Sequence, residues 1–256
     1  MKLDQYFEFA TELAYRAGRI TLGYFNAGVR PDYKPDDTPV TAADRASEIF
    51  IRGELEKKFP THAILGEEYG ETGAQKSAMR WIIDPIDGTK SFIRGVPLYG
   101  VLIGLEIEGV VRVGAAYYPG TDEMLCAAEE LGAWWNGRRA HVSEEASLEK
   151  AWICFTNIRN MAKYGRKEAW ERINARAYAS RGWSDAYGYL AVATGRAEVM
   201  LDPVMATWDC GPFPVIFKEA GGYFGSWDGR EGHLHREALA CNRALLPVML
   251  EIIRGE

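Results

Sequence analysis

Cysteine is scarce in this chain: four residues in 256, at Cys126, Cys154, Cys210 and Cys241, with no CxxC pair. That spacing argues against a disulfide scaffold or a zinc knuckle and points to a reducing compartment. Positive charge is also short. Thirty Lys and Arg stand against 36 Asp and Glu, for a net charge of −6, so no basic excess is available to drive nucleic-acid binding by counterion release. An uninterrupted apolar run is missing as well. The N-terminal MKLDQYFEFATELAYRAGRI carries acids through its apolar positions, unlike a signal-peptide core or a bilayer span, so no membrane partner and a cytoplasmic location are expected. Internal repeats, low-complexity tracts and Pro/Ser-rich linkers are lacking too, and one domain over 1–256 is expected, with possible lobes at about 1–140 and 141–256.

Histidine is equally sparse. His62, His141, His233 and His235 include an alternating HLH whose first and third side chains would share one strand face. No third soft ligand sits close in sequence, so a surface or turn role is expected rather than zinc. The cysteines read as packed thiols, and the eight tryptophans as core or subunit contacts.

What is present is alternation of helix and strand. Leu3, Phe7, Ala10, Ala14, Ala17 and Tyr24 recur at helical spacing, and Ile49, Leu55 and Phe59 predict a second helix starting after Thr41. From His62 the texture turns to short β-rich runs, AILG, RWIID, VLIGLEI, VVRVGAAYY and EMLCAA, separated by Gly, Pro and charged turns. Later segments predict a helix from about Ser184 to Thr194, the strand AEVML, a helix from Trp208 to Ala220 ended by two glycines, the strand EALACN and a final helix to about Ile253. A layered α/β fold with mixed, largely antiparallel sheets fits this order.

The sharpest local signal is WIIDPIDGTKSF at 81–92. A strand runs into Asp84 and Asp87, which would repel unless a divalent cation lay between them, and hard Mg²⁺ prefers such oxygen ligands. Gly88 and Thr89 then open a helix whose free amides could receive phosphate oxygens. A turn with Asp87 as helix cap is the plainer reading of the motif alone. Glu67 and Glu68 follow a short apolar strand in ILGEEYG, a position where α/β folds build ligand sites. Asp44 follows Thr41 by three residues and reads equally as a capping-box acid, and Asp209 in ATWDCG reads as an N-cap or a further site carboxylate. Six acids gathered without a cation would be costly.

Taken together, KPDDTPVTAAD (34 to 44), GEE (66 to 68), WIIDPIDGTKSF (81 to 92) and WDCG (208 to 211) resemble the inositol monophosphatase family of Mg²⁺-dependent, often lithium-sensitive phosphomonoesterases, almost end to end. The resemblance implies that family's αβαβα sandwich, as in fructose-1,6-bisphosphatase, and a homodimer. It implies that Glu67, Asp84 and the carbonyl of Ile86 bind one Mg²⁺, and that Asp84, Asp87 and Asp209 bind a second. Glu67 would help hold a third through water, Glu68 takes the second acidic position, and Mn²⁺ is an expected substitute. Asp44 and Thr89 would orient the attacking water, with the Gly88 and Thr89 amides on the phosphate. The implied reaction is in-line displacement at phosphorus without a phosphoenzyme.

Rival chemistries fail on the same residues. A DxD aspartyl-phosphate motif is not what Asp84 and Asp87 form, and a cysteine phosphatase would need Arg six residues after Cys, where Gly132, Asn160, Ile216 and Pro247 stand. A Walker A loop is absent, and GWSDA only approximates a serine-hydrolase elbow, leaving Ser184 as an N-cap. A non-catalytic metal or phosphate sensor would be expected to lose a ligand, and none is lost.

Substrate choice rests on acids facing the leaving group. Asp202, seven residues before Asp209, matches a family position that contacts the alcohol portion, and Asp185 falls where inositol phosphatases place a small residue. That added charge suits a cationic leaving group. The stretch from Arg181 to Cys210 resembles the histidinol-phosphate phosphatase branch, which implies L-histidinol phosphate as the small-molecule ester, with inositol monophosphate or another sugar phosphate as the alternative. One departure is CGPFPVIFKEAGG, where Pro212 fits a first turn but Pro214 is expected to remove an intrahelical hydrogen bond and blur the placement of Asp209.

Overall fold

The computed structural model describes residues 2–35, 37–73 and 77–256; Asp36, inside the 34 to 44 motif, lies outside the described residues. The first half runs α1 (Leu3–Leu22), β1 (Asp32–Tyr33), β2 (Pro39–Val40), α2 (Ala42–Lys58), β3 (Ala63–Gly66), β4 (Gly70–Thr72) and β5 (Met79–Asp87). There follow α3 (Thr89–Phe92), β6 (Gly100–Ile107), β7 (Val110–Tyr118), β8 (Glu123–Ala128), β9 (Gly132–Trp135) and β10 (Arg138–Arg139). The second half runs β11 (Trp152–Phe155), α4 (Ile158–Lys163), α5 (Lys167–Arg176), β12 (Ala179–Arg181), α6 (Asp185–Ala193) and β13 (Val199–Asp202). It closes with α7 (Thr207–Cys210), α8 (Phe213–Glu219), β14 (Gly222–Gly225), β15 (Ala238–Asn242) and α9 (Leu246–Arg254).

Among the described residues the strands form an eight-stranded sheet, β10-β9-β8-β7-β6-β5-β3-β4, a five-stranded sheet, β12-β11-β13-β15-β14, and the small pair β1-β2. Only β3 with β5 in the first sheet, and β11 with β12 and β13 in the second, pair in parallel. Side-chain alternation explains the layering, because successive residues of a strand face opposite sides of its sheet. On β6, Val101, Ile103 and Leu105 bury against α1 and α2, whereas Leu102 enters the cluster between the sheets. On β15, Ala238 and Ala240 join that middle cluster, while Leu239 and Cys241 pack on the far side with Trp170, Ile173 and Met249 of α5 and α9. The middle layer is supplied by α6 and α8 through Tyr189, Leu190, Phe213, Ile216 and Phe217. The order is therefore helix, sheet, helix, sheet, helix.

The expected helix from Trp208 to Ala220 is two pieces, α7 and α8, parted at Gly211 and Pro212. Gly211 and Pro212 keep helical dihedrals, φ −40° and −84°, so the parting is one of hydrogen bonding, at prolines that lack the N–H to continue the ladder. Another layer packs closely there: a Cβ at Gly104 would collide with the Gly211 carbonyl, and one at Gly114 with the carbonyl of Pro212. Pro212 takes the N-cap of α8 and Pro214 its first turn, so the irregularity expected at Pro214 lies at the junction just before it. The HLH reading, by contrast, is corrected. His233 and His235 lie outside any strand, and His233 is not a surface residue but is buried against Glu106, its Nε2 2.8 Å from Oε2. The four cysteines are buried and free. Among the described residues no helix is long and apolar enough to cross a membrane.

Candidate active site

Asp84 and Asp87 reach the same place through a bulge. Three residues apart, they would face opposite sides of a regular strand, but β5 pairs Asp84 with Leu102 and Asp87 with Gly100. Three steps on one strand against two on the other mean one extra residue, which resets the alternation and turns both carboxylates to one side. Gly88 follows in the left-handed region, φ 92°, and caps α3. A Cβ there would press on the Leu98 carbonyl at 3.0 Å and on Asp185 Oδ2 at 3.3 Å, so the turn requires glycine. The helix it opens is only one turn long. Local amides, not the dipole of an extended helix, are what this end offers an anion.

Asp44 sits in the first turn of α2 as the capping-box acid, its Oδ2 accepting from Thr41 N at 2.7 Å and Thr41 Oγ1 at 2.6 Å. Its other oxygen faces Thr89, whose Oγ1 lies 3.2 Å from Asp44 Oδ1 and 3.0 Å from the Ile86 carbonyl. Capping and site roles therefore use different oxygens of one carboxylate. Asp209, at the third position of α7, accepts the Ala206 N–H at 2.8 Å.

Glu67 and Glu68 hang on a turn whose support the sequence reading missed. Glu48 of α2 is fully buried; it accepts the N–H of Glu68 at 2.8 Å and of Tyr69 at 3.2 Å and holds the Arg52 guanidinium at 2.8 Å. A Cβ at Gly66 would collide with Glu48, so the glycine of GEE is what lets the turn close on α2. Lys34 was also missed. Its Nζ lies 2.8 Å from Glu67 Oε1 and 2.8 Å from Glu68 Oε1, and the signal for it was its place in the 34 to 44 motif.

Glu67, Asp84, Ile86, Asp87, Gly88, Thr89, Asp185 and Asp209 line one cavity of about 180 Å³ together with Lys90. Asp44 reaches it through Thr89. Glu68 and Asp202 do not line it: Glu68 is turned to Lys34, and Asp202 is buried and accepts the Tyr189 hydroxyl at 2.8 Å. A roomier groove of about 720 Å³ runs along α1 by Phe7, Tyr15, Met124 and Trp134, but its walls are largely apolar, so size does not choose the site.

Burial first, and then neighbouring carboxylates, raise the pKa of Asp84 and Asp87 well above the usual range. Burial likewise raises Glu67, with Lys34 opposing it, and takes Asp209 up to about 7. So many like charges in a partly desolvated space disfavour ionisation unless cations offset them. The donor set is all oxygen, as Mg²⁺ prefers. Among the described residues no three His, Cys, Asp or Glu side chains already form a metal-holding group. Asp84 and Asp209 each spend an oxygen on a backbone amide, and Glu67 spends one on Lys34. The residues fit divalent cations by chemistry and shared location.

Comparison with known proteins agrees with this architecture. The profile of the inositol monophosphatase family matches residues 2–254. A histidinol-phosphatase of Chlorobaculum parvum is 41% identical over 240 residues, 93% of this chain and 92% of its own, and one of Mycobacterium tuberculosis is 37% identical, with 92% and 93% covered. The inositol monophosphatase structure from Anabaena superposes with a TM-score of 0.86 at 28% identity, covering 100% of this chain and 97% of that one. This chain therefore belongs to the inositol monophosphatase family and is a phosphoric monoester hydrolase.

Proposed function

We propose that the enzyme hydrolyses L-histidinol phosphate to L-histidinol and inorganic phosphate with the aid of divalent cations. The observation that carries the substrate choice is the Asp185 carboxylate, which adds a negative charge to the cavity wall beside Gly88. A neutral polyol such as inositol has no charge to pair with it and can offer only hydroxyl hydrogen bonds, whereas a leaving group bearing an ammonium or imidazolium gains an ion pair. The histidinol-phosphatases among its relatives support the same reading.

Glu67, Asp84, Asp87, Asp209 and the Ile86 carbonyl would hold Mg²⁺, or Mn²⁺ in its place. When bound, such cations acidify the attacking water and neutralise charge on the phosphoryl and leaving oxygens. The chain's own residues supply orientation. Thr89 donates its hydroxyl proton toward Asp44 or Ile86 O, which leaves its lone pairs to accept from a water aimed at phosphorus. Asp44, whose pKa is raised chiefly by burial, is thereby a better proton acceptor near neutrality. The Gly88 and Thr89 amides face the phosphate, and Asp185 meets the alcohol portion.

The deciding measurement is kcat/KM for L-histidinol phosphate and inositol 1-phosphate at saturating Mg²⁺. A preference of at least tenfold for the histidinol ester is expected. A preference for the polyol ester overturns the substrate choice while leaving the hydrolase assignment intact.

A further inference from the structure

Asp185 takes a left-handed backbone conformation, φ 54°, at the first position of α6. Asp is among the few side chains that adopt this region at modest cost, and its hydrogen bonds decide whether it stays there. Here the constraint comes from β11 and β13. Thr156 directly follows β11, and its Oγ1 accepts the Asp185 N–H at 3.0 Å. The buried Asp202 carboxylate lies next to Thr156. Parallel pairing of β11 with β13 sets Phe155 opposite Leu201, so the next residues, Thr156 and Asp202, meet at the carboxyl ends of the two strands. Tyr189 of α6 donates to Asp202 Oδ2 at 2.8 Å, and Trp227 Nε1 lies 3.1 Å from the Asp202 carbonyl. Asp202 is thus held by Tyr189 and Trp227, and a single hydroxyl, that of Thr156, holds the backbone of Asp185.

We infer that Thr156 is a positioning residue for substrate choice, fixing the Asp185 backbone so that its carboxylate faces the leaving group. This assignment rests on the reading of Asp185 as the group that favours a cationic ester. The Asp185 carboxylate itself is steadied by Ser184 Oγ at 3.0 Å. Without the Thr156 hydroxyl the Asp185 amide loses its acceptor, and α6 gains freedom to begin in the ordinary right-handed conformation. The carboxylate then leaves its place over Gly88, and discrimination between charged and neutral esters falls.

The test compares wild type, Thr156→Val, Thr156→Ser and Asp185→Asn at saturating Mg²⁺, each on L-histidinol phosphate and inositol 1-phosphate. For Thr156→Val the ratio of the two kcat/KM values should fall at least tenfold, through KM for the histidinol ester rather than kcat. Thr156→Ser should keep the ratio within threefold of wild type. In an Asp185→Asn background, Thr156→Val should change the ratio by less than twofold, since the charge it positions is gone. Should Val destabilise the fold, Thr156→Ala repeats the comparison. A discriminating wild type whose ratio survives in Thr156→Val, or a Val effect that multiplies with Asp185→Asn, overturns the positioning role alone. A wild type that does not favour the histidinol ester overturns the substrate reading, and this role with it.

Discussion

Lys34 Nζ stands 2.8 Å from Glu67 Oε1 and 2.8 Å from Glu68 Oε1, so the acid-rich cavity is bordered by a cation of the protein's own. The arrangement has a physical rationale. Burial pushes Glu68 up to about 7 against the pull of Lys34, and it raises Glu67 as well. Their hydrogen bonds and charge raise Lys34 in turn, against its own desolvation. One ammonium compensates part of what divalent cations would compensate more fully.

Replacing Lys34 by Met should therefore weaken the metal-free protein and enlarge its response to metal. The pair is only partly buried, with Lys34 22% and Glu67 19% exposed at the side chain, so the loss should be about 1–2 kcal/mol, or roughly 2–6 °C in Tm for a chain of this size. Added Mg²⁺ should then raise Tm more in Lys34→Met than in wild type, because binding to the native state alone stabilises it and the competing ammonium is gone. Equal Mg²⁺ shifts in the two proteins would show that Lys34 and the cations do not share the carboxylates.

Asp87 lies in the same electrostatic conflict. Its pKa is raised well above the usual range, first by burial and then by Asp185, Asp209 and Asp202, which means its ionised form works against the fold when no cation is bound. Asp87→Asn should stabilise the metal-free enzyme by about 1 kcal/mol while lowering kcat by roughly a hundredfold or more, an exchange of function for stability. Thermal melts in EDTA and turnover across Mg²⁺ concentrations decide the matter together. A variant that melts earlier and turns over normally contradicts the placement of Asp87 among the ligands.

The route from sequence to site was uneven, and the reasons are local. Capping chemistry at Thr41 and Asp44, the apolar periods of α1 and α2, and the alternating strands all follow short-range rules, so the layered fold was legible. The family motifs carried the carboxylates. The bulge between Asp84 and Asp87 was not legible, because it depends on pairing with β6, more than a dozen residues downstream. Nor was the close approach of Gly211 and Pro212, which Gly104 and Gly114 allow from another layer. Asp202 illustrates the same limit. Its match to a family position suggested substrate contact, whereas it is buried, accepts the Tyr189 hydroxyl and does not line the cavity.

Thr89 offers a test of the proposed water-orienting pair. Its hydroxyl has two acceptors, Asp44 Oδ1 at 3.2 Å and the Ile86 carbonyl at 3.0 Å, and only the first can take up a proton. Thr89→Val should lower kcat about a hundredfold with little change in KM, and Thr89→Ser should recover most of it. Asp44→Asn combined with Thr89→Val should cost no more than the worse single change, since both act on one proton path. Multiplying losses in the double variant would refute that pairing.

Glu106 of β6 lies away from the cavity and joins the first sheet to the loop between β14 and β15. Its Oε2 sits 2.8 Å from His233 Nε2 and 2.9 Å from Arg80 Nη2. The hydrogen bond to His233 and then the Arg80 contacts hold its pKa below the usual carboxylate value, against burial. A depressed native pKa means that the stabilisation is fully present above the unfolded value near 4.5 and is lost as pH falls through the lower native one. Glu106→Gln should thus cost about 1–2 kcal/mol at pH 7, with the gap from wild type closing as urea unfolding is repeated below pH 4.5. Turnover near neutrality should stay close to wild type, because neither His233 nor Arg80 borders the cavity. A penalty of constant size from pH 7 downward would mean that shape, not charge, is what Glu106 contributes there.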